Sequence, residues 1–401
     1  MIPDTKRTWA EINLDFLKHN MQIIKKCTTP GAKIMGVVKA DAYGHGVLQV
    51  AKTILENGAE WLAVSMLDEA IELRNAGIGA PILILSDNQP QCAETIINLD
   101  IRQGVYSFET AQSLSKAAEK LGKIAKIHLK VDTGMGRVGF TPENAPEAAE
   151  IIAKLPYLEI EGIFTHFAVA DEYSEKSNEY TREQYAKFYE VCRKIKQEKK
   201  IDIPIRHAAN SAAILRYPEM HLDMVRAGII LYGLWPSEET KITGVDLKAV
   251  MTLKSAVSHV KEVECGTCFS YGCTYRAERK MTVATIPVGY ADGYMRIQSN
   301  KGFVYHENSG KKLPIVGRVC MDQMMVDASS AKESGGIKQG DTVVLFGDYD
   351  GDLSRFPTAE GIARIADTIN YEVSCAVSRR VPRVFTENGK TVEIMNRLTR
   401  K

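Results

Sequence analysis

KIMGVVKADAYGHGVLQVAKTILENGAEWLAVS, residues 33–65, holds an apolar run, a helix-spaced stretch and a second apolar run in one unbroken passage. KIMGVVK (33–39) and WLAVS (61–65) are short and β-rich, and GVLQVAKTILENGAE between them carries its apolar residues at helical spacing. The pattern then repeats. Further apolar runs are PILILS (81–86), IRQGVY (101–106), KIHLKVD (126–132), LEIEGIFTHF (158–167), IRHAANS (205–211) and DMVRAGIILYG (223–233). Most are followed by a helical pattern, such as SMLDEAIELRNAG or SFETAQSLSKAAEKLG. In the latter, Ala111, Leu114, Ala118 and Leu121 share one face, and Gly122 is placed to cap the helix end. Repeated β–α alternation implies a parallel sheet with crossover helices. Eight such units point to a (β/α)8 barrel, because open doubly wound sheets usually stop at about five or six strands.

After Leu234-Trp235-Pro236 the character changes. Residues 248–385 are rich in Val, Ile, Thr and Tyr, and AVMTLKSAVSHVKEV, KMTVATIPVGY, KGFVYH, KLPIVGRV, MMVDAS and DTVVLFG read as strands separated by Gly and Asp turns. Only TAEGIARIADTIN (358–370) reads as helix, and VYHENSGKKL (304–313) reads as a hairpin. The expected organisation is α/β: a TIM barrel over residues 1–246 followed by a mainly β domain over 247–401.

Composition narrows the function classes. The 401 residues carry 51 Lys plus Arg against 50 Asp plus Glu, 45% hydrophobic and 25% charged, an ordinary globular balance. No long basic run is interleaved with aromatics, so phosphate-backbone binding to nucleic acid is not expected. No stretch approaches the roughly 20 apolar residues of a membrane span, and the N-terminus lacks the apolar core of a signal peptide. A cytoplasmic protein with eight reduced cysteines is the expectation. Cys265, Cys268 and Cys273 cluster, but no second ligand pair follows at metal-site spacing, so no metal is assigned.

Functional groups of a barrel gather where strands end. The first strand ends in Lys39, the fifth in Lys130-Val-Asp132 with Arg137 beyond, and the sixth in Thr165-His166. The seventh carries His207 and ends in Asn210-Ser211, and the eighth includes Arg226 and Gly228. A lysine closing a buried strand can snorkel to the rim, or it can be a Schiff-base lysine activated by desolvation and neighbouring cations. Here Arg and Lys neighbours favour the second reading. The loops after the last two strands are the usual phosphate site of a barrel, and Asn210, Ser211 and Gly228 lie there. A lysine with a phosphate cradle suggests pyridoxal 5'-phosphate. Gly134-Met-Gly-Arg-Val-Gly139 satisfies GxGxxG, yet it follows the fifth strand rather than opening the first βα turn, which argues against a dinucleotide. Thr141-Pro142 reads as the start of the next helix.

At these residues the sequence resembles the alanine racemase family. VVKADAYGHG, HLKVDTGMGRVGF, THFA, HAANSAA, VRAGIILYGL, SYGCTY, GYADGY, GRVCMDQMMVD and INYEV occur in that order across essentially the whole chain. The resemblance implies that Lys39 holds the cofactor aldehyde and that Arg226 faces its ring nitrogen, supported by His166. It also implies that Tyr43, Ser211, Tyr371 and the amides near Gly228 and Ile229 bind the phosphate. Racemisation needs a proton taken from one face of Cα and returned to the other. Lys39 is one acid–base group and the family pattern makes Tyr271 the other, with His207 and nearby cations as candidates for lowering its pKa. Arg137 and Met321 would meet the substrate carboxylate, Tyr290 and Asp322 would line the entrance, and Lys130 matches a position that some members carbamylate. In the family the β domain completes the site of the other subunit, so a homodimer with shared sites is implied. D-alanine for peptidoglycan is the implied product. The alternatives are a racemase preferring serine or several amino acids, and a non-catalytic pyridoxal-phosphate carrier. Tyr371, bulky beside the expected methyl pocket, favours a small side chain.

Overall fold

The computed structural model describes residues 7–347 and 356–399. The chain divides into two compact units, one of Lys18–Ala42 and Val47–Leu247, the other of Met1–Leu17, Tyr43–Gly46 and Lys248–Lys401. The first strand, β1 (Thr8–Asn13), belongs to the second unit.

The barrel unit holds eight strands: β2 (Lys33–Val37), β3 (Trp61–Val64), β4 (Ile82–Ile84), β5 (Ile101–Val105), β6 (Ala125–Lys130), β7 (Leu158–Phe164), β8 (Ile205–His207) and β9 (Met224–Ala227). Each of the eight apolar runs supplies one of them. All pairings are parallel, in the order β8-β7-β6-β5-β4-β3-β2-β9. Backbone bonds from Arg226 N to Ala209 O (3.0 Å) and from Asp223 N to Arg206 O (3.1 Å) draw the two end strands together, giving a nearly closed barrel. Every residue of β3, β4 and β5 is buried, as expected of strands covered on both faces. Helix Val47–Glu56 lies so close on β2 that a Cβ at Gly36 would meet Ile54 Cδ1 at 2.4 Å. Helix Phe108–Leu121 ends at Gly122 in the left-handed region, as its sequence anticipates. KIKQEKK (194–200) closes the helix Glu175–Gln197. The helix anticipated at Thr141 begins regularly at Ala145, after one turn in which Ala145 N donates to Thr141 O (2.9 Å).

The β unit contains β10 (Met251–Ala256), β11 (His259–Val263), β12 (Cys268–Phe269), β13 (Tyr275–Arg276), β14 (Met281–Ile286), β15 (Phe303–His306), β16 (Lys311–Pro314), β17 (Met324–Asp327), β18 (Thr342–Phe346), β19 (Arg383–Glu387) and β20 (Lys390–Met395). One sheet runs β16-β15-β18-β10-β1-β19-β20, and β11-β14-β17 form a second. Residues 304–313 do form a hairpin, pairing Val304 with Leu313. The expected helix over 358–370 ends at Ala366, where Asp367 turns left-handed (φ 54°), and a second helix that was not expected follows at Asn370–Ala376.

The last segment of the β unit starts at Lys248, and the N-terminal strand lies in that unit rather than in the expected 1–246 barrel. Thr8–Asn13 pairs antiparallel with β10 and parallel with β19, filling the middle of the seven-stranded sheet. Pairing partners more than 200 residues away decide that strand, and no local pattern reports them.

Candidate active site

The buried strands of the barrel leave their C-terminal ends as the place where polar side chains converge. Arg226, on β9, is buried, and its guanidinium is clamped from several sides. Nη2 donates to Thr165 O (2.8 Å), Ala208 O (3.0 Å) and His166 Nδ1 (3.2 Å). Nη1 donates to His207 O (3.1 Å) and His207 Nδ1 (3.2 Å). Among the described residues no carboxylate lies within ion-pair distance of it. Phe164 stacks on His207 (centroids 5.0 Å apart, planes 9°), with Lys130 Nζ 5.4 Å and the Arg226 guanidinium 5.7 Å from the Phe164 ring.

Lys130 is buried at the end of β6 and donates to Val131 O (2.9 Å). Burial, Arg226 and Arg137 pull its amine down to about 7, against the pull of Asp132. His166 is held well below the ordinary imidazole range by burial and by Arg226, Lys130, Arg137 and Lys39. These four cations therefore share one neighbourhood, with Asp132 as the acid close to Lys130. His207 is likewise kept neutral by burial and by His128, Arg226 and Lys130.

The loop after β6 accounts for the GxGxxG glycines in another way. Asp132 Oδ1 accepts from Gly134 N (3.0 Å) and Gly136 N (3.1 Å), and Phe140 N returns to Lys130 O (2.9 Å). A Cβ at Gly139, where φ is +141°, would meet Asp132 N at 2.4 Å. The glycines let this loop fold back on its own strand, with Arg137 exposed at its turn.

Gly228 N donates to Ser211 Oγ (3.0 Å), joining the two residues read as a phosphate cradle, and Ile229 opens the short helix Ile229–Tyr232. Asn210 is committed differently: its side chain accepts from Ala213 N (3.0 Å) as the cap of helix Ser211–Arg216. Lys39 is half-buried and is followed by Ala40, Asp41, Ala42 and Tyr43, all left-handed with φ of 53–54°. Such a run is costly for L-residues, about 1–2 kcal/mol each. Glu69 helps hold it, accepting from Ala40 N (2.5 Å).

The β unit gathers the other anticipated residues in two places. Tyr43 is buried with its ring 6.0 Å from that of Tyr371, which lies in the first turn of Asn370–Ala376; burial, Tyr371 and Cys375 push its phenol up. Tyr271 is 73% exposed on a turn that includes Ser270 (φ 61°), Gly272 (φ 76°) and Cys273 (φ 44°). Ser270 Oγ ties that turn to the GRVCMD segment, donating to Arg318 O (2.7 Å) and lying 3.3 Å from Cys320 Sγ. Tyr290 N donates to Cys320 O (3.1 Å), while Met321 is exposed and Asp322 pairs with Arg380 (2.7 Å). Tyr271, Tyr290, Met321 and Asp322 thus share one region of the β unit. Neighbouring Cys268 pushes the Cys273 thiol above its ordinary value, while Cys265 donates to Glu278 O (3.3 Å). Among the described residues no group of three potential metal ligands forms.

The sequence reading gave no role to Phe164 or Asp132, or to His128 and Glu161, which continue the chain of polar contacts beyond His207. The signal was present for one: His128 precedes Lys130 by two residues, so both face the barrel interior.

The fold and this cation-rich strand end define a barrel-plus-β enzyme. Residues 12–236 match the family model described as alanine racemase, N-terminal domain, and residues 250–385 match alanine racemase, C-terminal domain. The alanine racemase of Clostridium tetani is 47% identical over 99% of this chain and all of its own length. That of Methanococcus maripaludis is 47% identical over 94% of this chain and 98% of the relative. Among solved structures, alanine racemase of Clostridium difficile superposes with a TM-score of 0.92 at 45% identity, covering 98% of this chain and 100% of that one. Alanine racemase of Bacillus anthracis with bound L-Ala-P gives 0.90 at 38% identity, covering 99% of both chains. The chain belongs to the alanine racemase family, a family of isomerases.

Proposed function

We propose that this chain interconverts L-alanine and D-alanine by a two-base mechanism with pyridoxal 5'-phosphate, and that the D-alanine serves peptidoglycan synthesis. The observation that carries the reading is Arg226: a buried guanidinium with only neutral acceptors, in a neighbourhood shared by Lys39, Lys130 and Arg137. Such a surplus of positive charge suits an anionic, phosphorylated cofactor. The donor set fits that group too, with Ser211 Oγ and the Gly228 amide adjacent at the barrel's phosphate position. When bound, the cofactor supplies an electron sink that makes the substrate Cα–H acidic.

Lys39 would hold the cofactor aldehyde, and its Nζ would take or give the Cα proton on one face. Tyr271 of the partner subunit would serve the opposite face through its phenol oxygen. Arg226 would donate to the ring nitrogen without surrendering a proton, since guanidinium stays charged. That weakens the sink and favours return of the proton over transamination. His166 and His207, neutral in this setting, hold Arg226 in place. Tyr43, Ser211, Tyr371, Gly228 and Ile229 would bind the phosphate, with Asn210 shaping the helix start beside it. Arg137 and Met321 would hold the substrate carboxylate, while Tyr290 and Asp322 would frame the entrance. Lys130, with an amine near pKa 7, is suited to react with carbon dioxide, its nitrogen gaining a carboxylate and releasing a proton. Kinship with the structure of alanine racemase of Clostridium difficile in complex with cycloserine, 44% identical with a TM-score of 0.88, supports a site for a small amino-acid-like ligand.

The test is incubation of purified protein and pyridoxal phosphate with L-alanine and, separately, L-serine, followed by chiral amino-acid analysis. Equal amounts of L- and D-alanine at equilibrium are expected, with serine converted more slowly. Borohydride reduction and peptide mapping should place the label on Lys39; a label on another lysine refutes the cofactor assignment.

A further inference from the structure

His207 does not end the contacts that begin at Arg226. His207 Nε2 lies 2.9 Å from His128 Nδ1, and His128 Nε2 lies 3.5 Å from Glu161 Oε2. Glu161 is buried and also meets Arg102 Nε (3.0 Å) and Lys126 Nζ (3.3 Å). His128 Nε2 is buried without a regular hydrogen bond, and the Glu161 carboxylate 3.5 Å away is its ion-pair partner.

The two ends of this chain fix every proton between them. Arg226 can only donate, so His207 Nδ1 must carry a lone pair and Nε2 the hydrogen. His207 Nε2–H then donates to His128 Nδ1, which leaves the hydrogen of His128 on Nε2, the ring nitrogen 3.5 Å from the Glu161 carboxylate. Reversing either ring sets two donors against each other at Arg226 or a lone pair against Glu161. Both rings stay neutral, since burial lowers the pKa of each, and Glu161 stays ionised, its carboxyl held at about 2 by His128 and Arg102 despite burial.

The strand is shaped for this contact. Pairing between β6 and β7 passes from Ile127 with Ile160 to His128 with Gly162, so Glu161 is an extra residue, a bulge that is uncommon in parallel sheets. Gly162 leaves room for the His128 ring, since a Cβ there would lie 2.4 Å from His128 Nδ1. Bulges of this kind re-aim a side chain.

We infer that Glu161, through His128, locks His207 as a hydrogen-bond acceptor and so orients the Arg226 guanidinium; Glu161 and His128 are positioning residues. The consequence for turnover rests on the racemase reading, whereas the proton positions do not. The experiment is nitrogen NMR of the full-length protein with 15N-labelled histidine, alongside racemisation kinetics of the holoenzyme. In the wild type, His128 and His207 should both carry hydrogen on Nε2 alone. Glu161→Gln, whose amide can donate or accept, leaves Arg226 alone to hold the two rings; it should admit the reversed tautomers as a detectable minor population at both and lower kcat roughly ten-fold with KM within about two-fold. Gly162→Ala should disturb the same two resonances with Glu161 intact. A wild-type His207 protonated on Nδ1 overturns the proposal, even where the variants fail to fold. So does a Glu161→Gln protein whose kcat falls while both tautomers stay fixed, because packing alone then explains the loss. Wild-type protein that shows the expected tautomers but does not racemise alanine refutes the racemase reading and leaves the relay standing.

Discussion

Lys130 is a charge that the barrel holds at a cost. Its amine would normally titrate near 10.5, and burial beside Arg226 and Arg137 brings it to about 7. Between those values the unfolded chain keeps a proton that the folded chain has released. The folded state therefore gains stability as pH rises through this window, and the penalty of the buried ammonium is complete below it. In CO2-free buffer, Lys130→Met should unfold at higher denaturant than wild type near pH 6.5. That advantage should shrink by on the order of 2 kcal/mol by pH 9. An advantage that does not vary with pH would mean the lysine is not desolvated. Tyr271 is a contrasting residue: 73% exposed in its own unit, it contributes little to that unit's packing. Tyr271→Phe should keep the unfolding midpoint within about 0.5 kcal/mol while abolishing racemisation and retaining the cofactor. Near-normal racemisation by that variant rules out the phenol as an acid–base group.

At the scale of elements, the left-handed turn after Lys39 is a strained support for a lysine whose position matters. Ala40 is exposed with φ 53°, and replacing it with Gly relieves strain while adding freedom to the unfolded chain. Ala40→Gly should raise stability by about 0.5–1 kcal/mol in denaturant melts. Gly44 behaves in the opposite sense. At φ +85° its missing Cβ would sit 2.3 Å from Ser374 O, and its own carbonyl accepts from Arg383 Nε (2.9 Å). Gly44→Ala should cost at least about 2 kcal/mol; wild-type stability in that variant would show that the helix Asn370–Ala376 yields. None of this was visible in ADAYGHG as a string. The eight barrel strands were legible because buried parallel strands are continuously apolar and the helices between them carry a 3.6-residue period. The strands TWAEIN, RVFTE and KTVEIM were not, because their charged residues break the alternation and distant partners supply the pairing. The strand-end cations were legible for the same reason as the strands, since charge ending an apolar run stands out. The Glu161 bulge was not, because LEIEGIF reads as an ordinary strand until its register with β6 is known.

For the whole molecule, the proposed reaction needs groups that the chain places in two separate units. Lys39, Arg137 and Arg226 belong to the barrel unit, whereas Tyr271 and Met321 belong to the β unit. Tyr271, Tyr290 and Met321 are all at least 44% accessible in the single chain, so they are open to a second copy. Near-zero net charge, with 51 basic against 50 acidic residues, sets little long-range repulsion against association of two copies. A dimer in which each barrel receives the other chain's Tyr271 makes a prediction that a self-sufficient subunit does not. Lys39→Ala and Tyr271→Phe proteins should each be inactive alone. Unfolding them together in equal amounts and refolding should make half of the dimers mixed. Each mixed dimer then has one site with both residues intact and one with neither. Activity should return to about one quarter of the wild-type value for a two-fold symmetric dimer with shared sites. Sites contained within single chains would leave every mixed dimer inactive, since each chain still lacks one of its two bases. Size-exclusion chromatography with light scattering on the same samples separates that outcome from a failure to dimerise.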